Sequence, residues 1–399
     1  MRFSAMQGME QGMDAKVASS ETDSGFVGWR PERCKRIALI FQGGGALGAY
    51  QAGVYEALHE ANIEPDWVTG VSIGAINACI IAGNPREKRL ERLRAFWDKI
   101  TDRRVWAFTP DGDIFRRARN ATSSMMTVAL GQPGFFKPHD VSPWMNLPGA
   151  KTATSHYDTS PLEETLRELV DFSLINERGL RFAVGAVNVE TGNFIYFDNE
   201  NEVIGPEHVM ASGALPPTLP MIKIGTDFYW DGGIVSNTPL QHLLDQEPSE
   251  SSLVFQVDLF SARGELPRQM ADVLARQKDI TYSSRTRQNT DTYARVHALK
   301  MKLLGALQRV PADKLNPHEK KLIEEYSKSG EVNIVHLIYQ HKEYEGHAKD
   351  YEFSGTSMRE HWESGYEDTT RTLRHPEWLK RSSIRHGVSI HDLHREDPT

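Results

Sequence analysis

Ser72 stands between Gly70 and Gly74 in the stretch TGVSIGAIN (69–77). A hydroxyl flanked in this way can act as a nucleophile when it sits on a sharp strand-to-helix turn, because the glycines leave room for a strained backbone. The preceding WVTGV (67–71) reads as a short buried strand, and AINACIIAG (75–83) as an apolar helix buried nearly all round, so the setting fits. The helix N-terminus adds a field worth ~0.3–1 kcal/mol to a nearby anion. A serine has no nucleophilic power at its own pKa and needs a positioned proton acceptor. By itself the pattern more often marks a helix cap with packing glycines; its neighbours decide.

Candidate acceptors are few. The first 250 residues hold His59, His139, His156, His208 and His242, none on an obvious strand-end turn. Asp231 does occupy such a place, in YWDGG, after an aromatic pair and before Gly232 and Gly233. A carboxylate serves as a base when its surroundings raise its pKa or bring it within reach of the hydroxyl. Asp-Gly is also a common turn pair. The third element is GGGALG (43–48), between the strand RIALIFQ (36–42) and a helical pattern. Backbone N–H groups of such a loop converge on an anion, either a phosphate or a tetrahedral oxyanion. The spacing also satisfies the dinucleotide fingerprint. That reading wants an acidic residue after the second strand, and here that strand runs into GVSIG instead. Two special turns at the same edge of adjacent parallel strands, one with a nucleophile and one with donors, meet the needs of acyl transfer.

The elements that must hold these groups alternate as strand, loop, helix, strand, turn, helix, which predicts a parallel sheet with covering helices. LRFAVGAVNVETGNFIYFD (180–198) predicts two strands, EHVMASGALPP (207–217) a short helix, and FYWDGGIVSNTPL (228–240) a strand and a glycine turn. LVFQVDLF (253–260) and VNIVHLIYQ (332–340) read as further strands, with charged helices over 267–330 and another at 354–374. Residues 105–157 carry five prolines and read as irregular, with Phe108, Phe115, Met125, Met126, Phe135, Phe136, Trp144 and Met145 as a candidate acyl-binding wall or lid. HGVSIHDLHRE (386–396) clusters histidines, but the spacing of His391 and His394 lacks accompanying cysteines or a carboxylate set. A solvated tail and no metal are expected there.

The chain has 399 residues, a net charge of −8, and only two cysteines, Cys34 and Cys79. That balance argues against nucleic-acid binding and against a disulfide framework. Residues 1–30 lack the apolar segment of a secretory signal and are expected to form a disordered leader. A cytoplasmic location, with peripheral membrane contact as an option, is the corresponding expectation.

GGGALG at 43–48, GVSIG at 70–74 and DGG at 231–233, in that order and in those contexts, resemble the patatin-like phospholipase family. ASGALPP (211–217) and SNTPL (236–240) look like the same pattern, and the resemblance covers about 36–245. It implies a three-layer α/β/α hydrolase core over 31–250, with a mainly helical C-terminal extension over 251–399 that completes or covers it. It implies hydrolysis of lipid esters, of phospholipase A or lysophospholipase type, through a Ser–Asp dyad without metal or cofactor. Ser72 maps to the nucleophile and Asp231 to its base. Gly43, Gly44 and Gly45 map to the oxyanion hole, with Gly48, Gly70, Gly74, Gly232 and Gly233 as motif support. Many members carry Arg or Lys where this chain has Leu47, so the oxyanion is left to backbone amides. A catalytically weak lipid-binding or scaffold protein, and a nucleotide-binding protein using GGGALG, are the alternatives.

Overall fold

The computed structural model describes residues 34–101, 113–246, 251–328, 330–342, 345–346, 348–374 and 387–391. The proposed leader, Phe108 and His394 lie outside these residues, as does the side chain of Phe115. In chain order the first elements are β1 (Arg36–Phe41), α1 (Ala49–Glu60), β2 (Trp67–Gly70), α2 (Ile73–Ala82), α3 (Arg86–Ile100) and α4 (Asp113–Leu130). A small antiparallel pair, β3 (Lys137–Pro138) and β4 (Tyr157–Asp158), precedes α5 (Ser160–Leu169) and α6 (Phe172–Asn176). Then come β5 (Arg181–Asn188), β6 (Phe194–Asp198), α7 (Pro206–Ser212), β7 (Ile222–Ile224), β8 (Asp227–Asp231) and α8 (Leu240–Asp245). The rest comprises β9 (Ser252–Asp258), α9 (Met270–Tyr282), α10 (Thr286–Leu307), α11 (Pro317–Ser327), β10 (Val332–Ile338), α12 (Gly355–Arg374) and β11 (Val388–His391).

Nine strands form one sheet. The run β11-β10-β9-β1-β2-β5 is parallel throughout. Such strands are buried on both faces and read as continuous apolar runs. In β1, Ile37, Leu39 and Phe41 enter the larger core cluster, and Ala38 and Ile40 a second one. The first cluster takes in α1, α2, α3 and α12; the second takes in α8 and part of α10. The architecture is therefore three-layered, α/β/α, as expected. The C-terminal part is largely helical, yet β9, β10 and β11 also extend the sheet beyond β1.

Register explains how the candidate residues meet. Ala183 and Val184 of β5 pair with both β2 and β6, whereas Ala186 and Val187 pair with both β6 and β8. The strands β2 and β8 must then share one edge of β5, running in opposite directions. Gly70 ends β2 opposite Val184, and Asp231 ends β8 opposite Ala186. The two chain ends point at each other across a gap of one residue, Gly185.

Two expectations need correction. The 105–157 stretch is not irregular throughout, because it contains α4. Its inward positions are Asn120, Ser123, Ser124 and Thr127, at helical spacing but polar, while Met125, Val128 and Leu130 point outward. The inverted pattern conceals the helix from a hydrophobic reading. In the histidine-rich tail, Val388–His391 is not solvated coil: it is an edge strand in register with Val332–Val335.

The helices α1 and α12 cross at backbone distance. A Cβ on Gly53 would overlap the Trp362 carbonyl, and one on Gly365 the Tyr50 carbonyl. Gly365→Ala is therefore expected to lower unfolding free energy by about 1–3 kcal/mol. Gly305→Ala in α10, where a Cβ meets nothing, should raise it by up to about 1 kcal/mol through helix propensity. Denaturant titration of both variants checks the contrast.

Candidate active site

The turn from β2 into α2 holds Ser72 at φ 57° and ψ −126°. A non-glycine residue there costs about 1–3 kcal/mol and persists only where its surroundings over-determine it. They do so here. The Ser72 N–H donates to both the carbonyl and the Oγ of Ser212, each at 3.1 Å. Ser212 is fully buried at the end of α7, and its hydroxyl donates to the Gly185 carbonyl at 2.6 Å. On the other side, Val71 N–H donates to the Phe41 carbonyl at 3.2 Å. The turn lies so close to β1 that a Cβ on Gly74 would overlap the Phe41 and Gln42 carbonyls, and one on Gly70 would overlap Gly74 itself. The first helical residue, Ile73, lines the cavity beside Ser72, and a helix leaves its leading amides without intrahelical acceptors.

Asp231 closes β8 and is 3% exposed. Its Oδ1 accepts from the Gly233 N–H at 2.7 Å, and its carboxyl interacts with the Ser72 hydroxyl. Burial raises its pKa; the Ser72 and Gly233 contacts oppose this, and the outcome is about 7. A carboxylate poised there exchanges a proton with a neighbouring hydroxyl near neutral pH.

The glycine loop faces the same cavity, which is lined by Gly43, Gly44, Gly45, Ser72 and Asp231 among others. The Gly43 N–H is already engaged, donating to the Asn237 carbonyl at 3.2 Å. Asn237 returns the contact, its Nδ2 donating to Gly43 O at 3.0 Å and to Tyr282 O at 2.9 Å. Among the described residues, no acceptor takes the Gly44 or Gly45 N–H. Beneath the loop, Gln42 Oε1 accepts from Leu259 and Phe260 N–H at 2.6 and 2.8 Å. Its Nε2 donates to Thr238 Oγ1 at 2.9 Å. Leu47 is fully buried in the core, so no cation enters from that position.

The far wall comes from the C-terminal part: Tyr282, Asp350, Tyr351 and Phe353. Two crossed ion pairs fix it. Lys278 holds Asp350 at 2.5 Å, and Lys349 holds Asp279 at 2.8 Å. The Asp350 carbonyl rests on Gly45, which has φ 56°, leaving no room for a Cβ. This wall, Ser212 and Asn237 were not legible as site residues. Ser212 and Asn237 do fall within ASGALPP and SNTPL, but nothing in the sequence ties Asp350 to Gly45.

Of the apolar groups singled out in 105–157, Phe135 and Phe136 line the cavity, while Met125, Trp144 and Met145 are exposed. No histidine lines it among the described residues. Nor do those residues contain a group of three or more His, Cys, Asp or Glu able to hold a metal ion. No described helix is long and apolar enough to cross a membrane.

A model of the patatin-like phospholipase family matches residues 39–244, more than half of the chain, and a second model, described as patatin phospholipase, matches 280–384. The chain belongs to the patatin-like phospholipase family. A putative patatin-like phospholipase domain-containing protein of Caenorhabditis elegans is 40% identical over 67 residues, 17% of this chain and 6% of its own length. Triacylglycerol lipase ptl3 of Schizosaccharomyces pombe is 42% identical over 59 residues, 15% of this chain and 12% of its own length. The chain thus matches only a small part of either relative. Among solved structures, VipD from Legionella pneumophila aligns over 94% of this chain and 77% of its own, with a TM-score of 0.39 and 15% identity. Human GIVD cytosolic phospholipase A2 aligns over 55% and 42%, with a TM-score of 0.31 and 11% identity.

The raised pKa of Asp231 has a consequence for stability. A carboxyl that ionises near 4 when unfolded and near 7 when folded leaves the fold without penalty below pH 4. The penalty grows between the two values and is complete above 7, on the order of 4 kcal/mol. Asp231→Asn keeps an acceptor for Gly233 and removes the charge. The variant should be more stable than the parent at pH 8, with the gap closing toward pH 4, as read by denaturant titration across that range. A gap independent of pH would sink the idea.

Proposed function

We propose that the protein is a serine acyl hydrolase acting on carboxylic esters of lipids. The observation that carries this reading is the buried Asp231 carboxyl, poised near pH 7 against the strained Ser72. In the mechanism, Asp231 takes the Ser72 proton as Oγ attacks the ester carbonyl. The Gly44 and Gly45 amides, with that of Ile73 at the head of α2, hold the oxyanion. Asp231 returns the proton to the departing alcohol, leaving an acyl-enzyme. It then takes a proton from water, and the resulting attack frees the acid and restores Ser72. Each oxyanion donor is worth about 10²–10³ in rate in a well-studied hydrolase, so amides alone suffice where the loop is rigid. The triacylglycerol lipase among the relatives makes neutral acylglycerols the first esters to assay, with lysophospholipids and phospholipids beside them. A phosphate in the glycine loop is disfavoured by the carboxyls of Asp231 and Asp350 that line the same cavity.

A fluorophosphonate probe should label Ser72, located by peptide mass, with no label in Ser72→Ala and a rate at least about a hundredfold lower in Asp231→Asn. The labelling rate should rise with pH through a single ionisation near 7, because the base must be deprotonated. Folded protein that takes no label would make the dyad inert and bring a lipid-binding or scaffold role forward.

A further inference from the structure

The cavity at Ser72 encloses about 80 Å³, well below the range of about 300–1,000 Å³ usual for small-molecule sites. An ester group placed there lies against its walls. The glycine loop offers it the Gly44 and Gly45 amides, and α2 offers that of Ile73, whereas no Lys, Arg or His lines the cavity among the described residues. Besides the carboxyls and Ser72, the lining side chains that carry an N–H or O–H are those of Asn237, Thr218, Tyr351 and Tyr282. Three of these are committed. The Asn237 Nδ2 donates to the backbone carbonyls of Gly43 and Tyr282, and the Tyr351 hydroxyl interacts with that of Thr218. Tyr282 is half-buried, and its hydroxyl donates to no described residue, although a tyrosine hydroxyl drawn away from water usually finds a partner.

Tyr282 ends α9 and is firmly placed. Two side chains from beneath the glycine loop hold its carbonyl, Gln42 Nε2 at 3.0 Å and Asn237 Nδ2 at 2.9 Å. The same two residues carry the loop, since Gln42 precedes Gly43 and Asn237 bonds to Gly43 in both directions. One turn earlier in α9, Lys278 pairs with Asp350, whose carbonyl rests on Gly45. The Tyr282 ring packs against Phe260 with centroids 5.6 Å apart. With the carbonyl turned to Gln42 and Asn237, the phenol is the part of Tyr282 left for the cavity. Burial and the carboxyls of Asp231 and Asp350 push its pKa above the ordinary tyrosine range, so it keeps its proton at a pH where Asp231 has lost its own. A cation in this place would be drawn into an ion pair with one of those carboxyls; a neutral phenol stays free to donate elsewhere.

We propose that Tyr282 is a further catalytic residue of this site, its hydroxyl donating to the ester oxygen that becomes the oxyanion and so adding a side-chain donor to the three amides. The inference rests on the acyl-hydrolase reading. The Tyr282 proton stays on the phenol throughout, and Asp231 alone exchanges one. A hydrogen bond to a charged oxygen is about twice as strong as one to a neutral carbonyl, so the gain falls on the transition state and hardly on binding.

The test uses the full chain. Tyr282→Phe removes the hydroxyl and keeps the ring, the carbonyl and its two donors. With p-nitrophenyl butyrate, whose leaving group needs no proton, kcat should fall at least about tenfold while KM stays within about twofold of the parent. Labelling of Ser72 by a fluorophosphonate should slow by a similar factor, because the phosphoryl oxygen takes the oxyanion position. The pH profile of labelling should keep its midpoint near 7. Tyr366→Phe, which removes a hydroxyl on α12 outside the cavity, should leave all three unchanged. An active parent whose Tyr282→Phe variant, folded by circular dichroism, matches it in kcat overturns the proposal and leaves the hydrolase reading intact. A loss with tributyrin but not with the p-nitrophenyl ester overturns it too, since the phenol would then serve the leaving alcohol. So does a loss accompanied by a shifted midpoint, since the phenol would then act through Asp231. A parent that neither takes the label nor cleaves either ester overturns both readings.

Discussion

Everything at the site depends on two strands of opposite direction sharing one edge of β5. Parallel β2 ends at Gly70 and antiparallel β8 ends at Asp231, opposite residues of β5 that are separated only by Gly185. A serine just past one end and an aspartate at the other are thereby brought face to face with no flexible loop between them. Ser212 locks the arrangement, since it bonds to Ser72 on one side and to Gly185 on the other. Groups held on strand ends keep their geometry better than groups on loops.

The cost of that placement is electrostatic. Asp231 lies in an apolar setting with one backbone donor and one hydroxyl for partners, fewer than a carboxylate needs for full compensation. Ser72 adds backbone strain to the same few residues. Both are unfavourable to folding, and a sheet buried on both faces offsets them. Local violations of this kind, supported by consistent packing elsewhere, are the pattern expected of functional sites. The crossed pairs of Lys278 with Asp350 and Lys349 with Asp279 serve the other half of the site. They press a backbone carbonyl onto Gly45 and leave the loop a single course.

What could be read in advance was whatever depends on special turns. GGGALG, GVSIG and DGG announce themselves because only glycine tolerates the close approaches at Gly45, Gly70 and Gly74. The strands β1, β2, β5, β9 and β10 of the parallel sheet were equally plain, being short and apolar, whereas β11 at its edge was hidden in a polar, histidine-rich stretch. The helix α4 was not, because Asn120, Ser123, Ser124 and Thr127 occupy the positions where apolar residues signal burial. The engagement of the Gly43 amide by Asn237 was out of reach too, since a backbone hydrogen bond leaves no trace in residue types. The wall formed by Asp350 and Tyr351 depends on contacts between residues far apart in the chain, for which a single sequence carries no pattern.

The position of β1 also constrains how the protein can be made. Its residue Ala38 pairs with Trp67 on one side and with Val254 on the other. The face of α1 at Gly53 is met by Trp362 of α12. A chain emerging from the ribosome would thus carry the glycine loop on a strand with one bare edge until residues 252–258 had been synthesised. The first helix would stay uncovered longer still. Pairing across such separations is slow to form, and an unpaired strand edge invites association with other chains. The sheet is therefore closed at its centre only once the C-terminal part has been made, and a truncated product would leave that edge of β1 exposed.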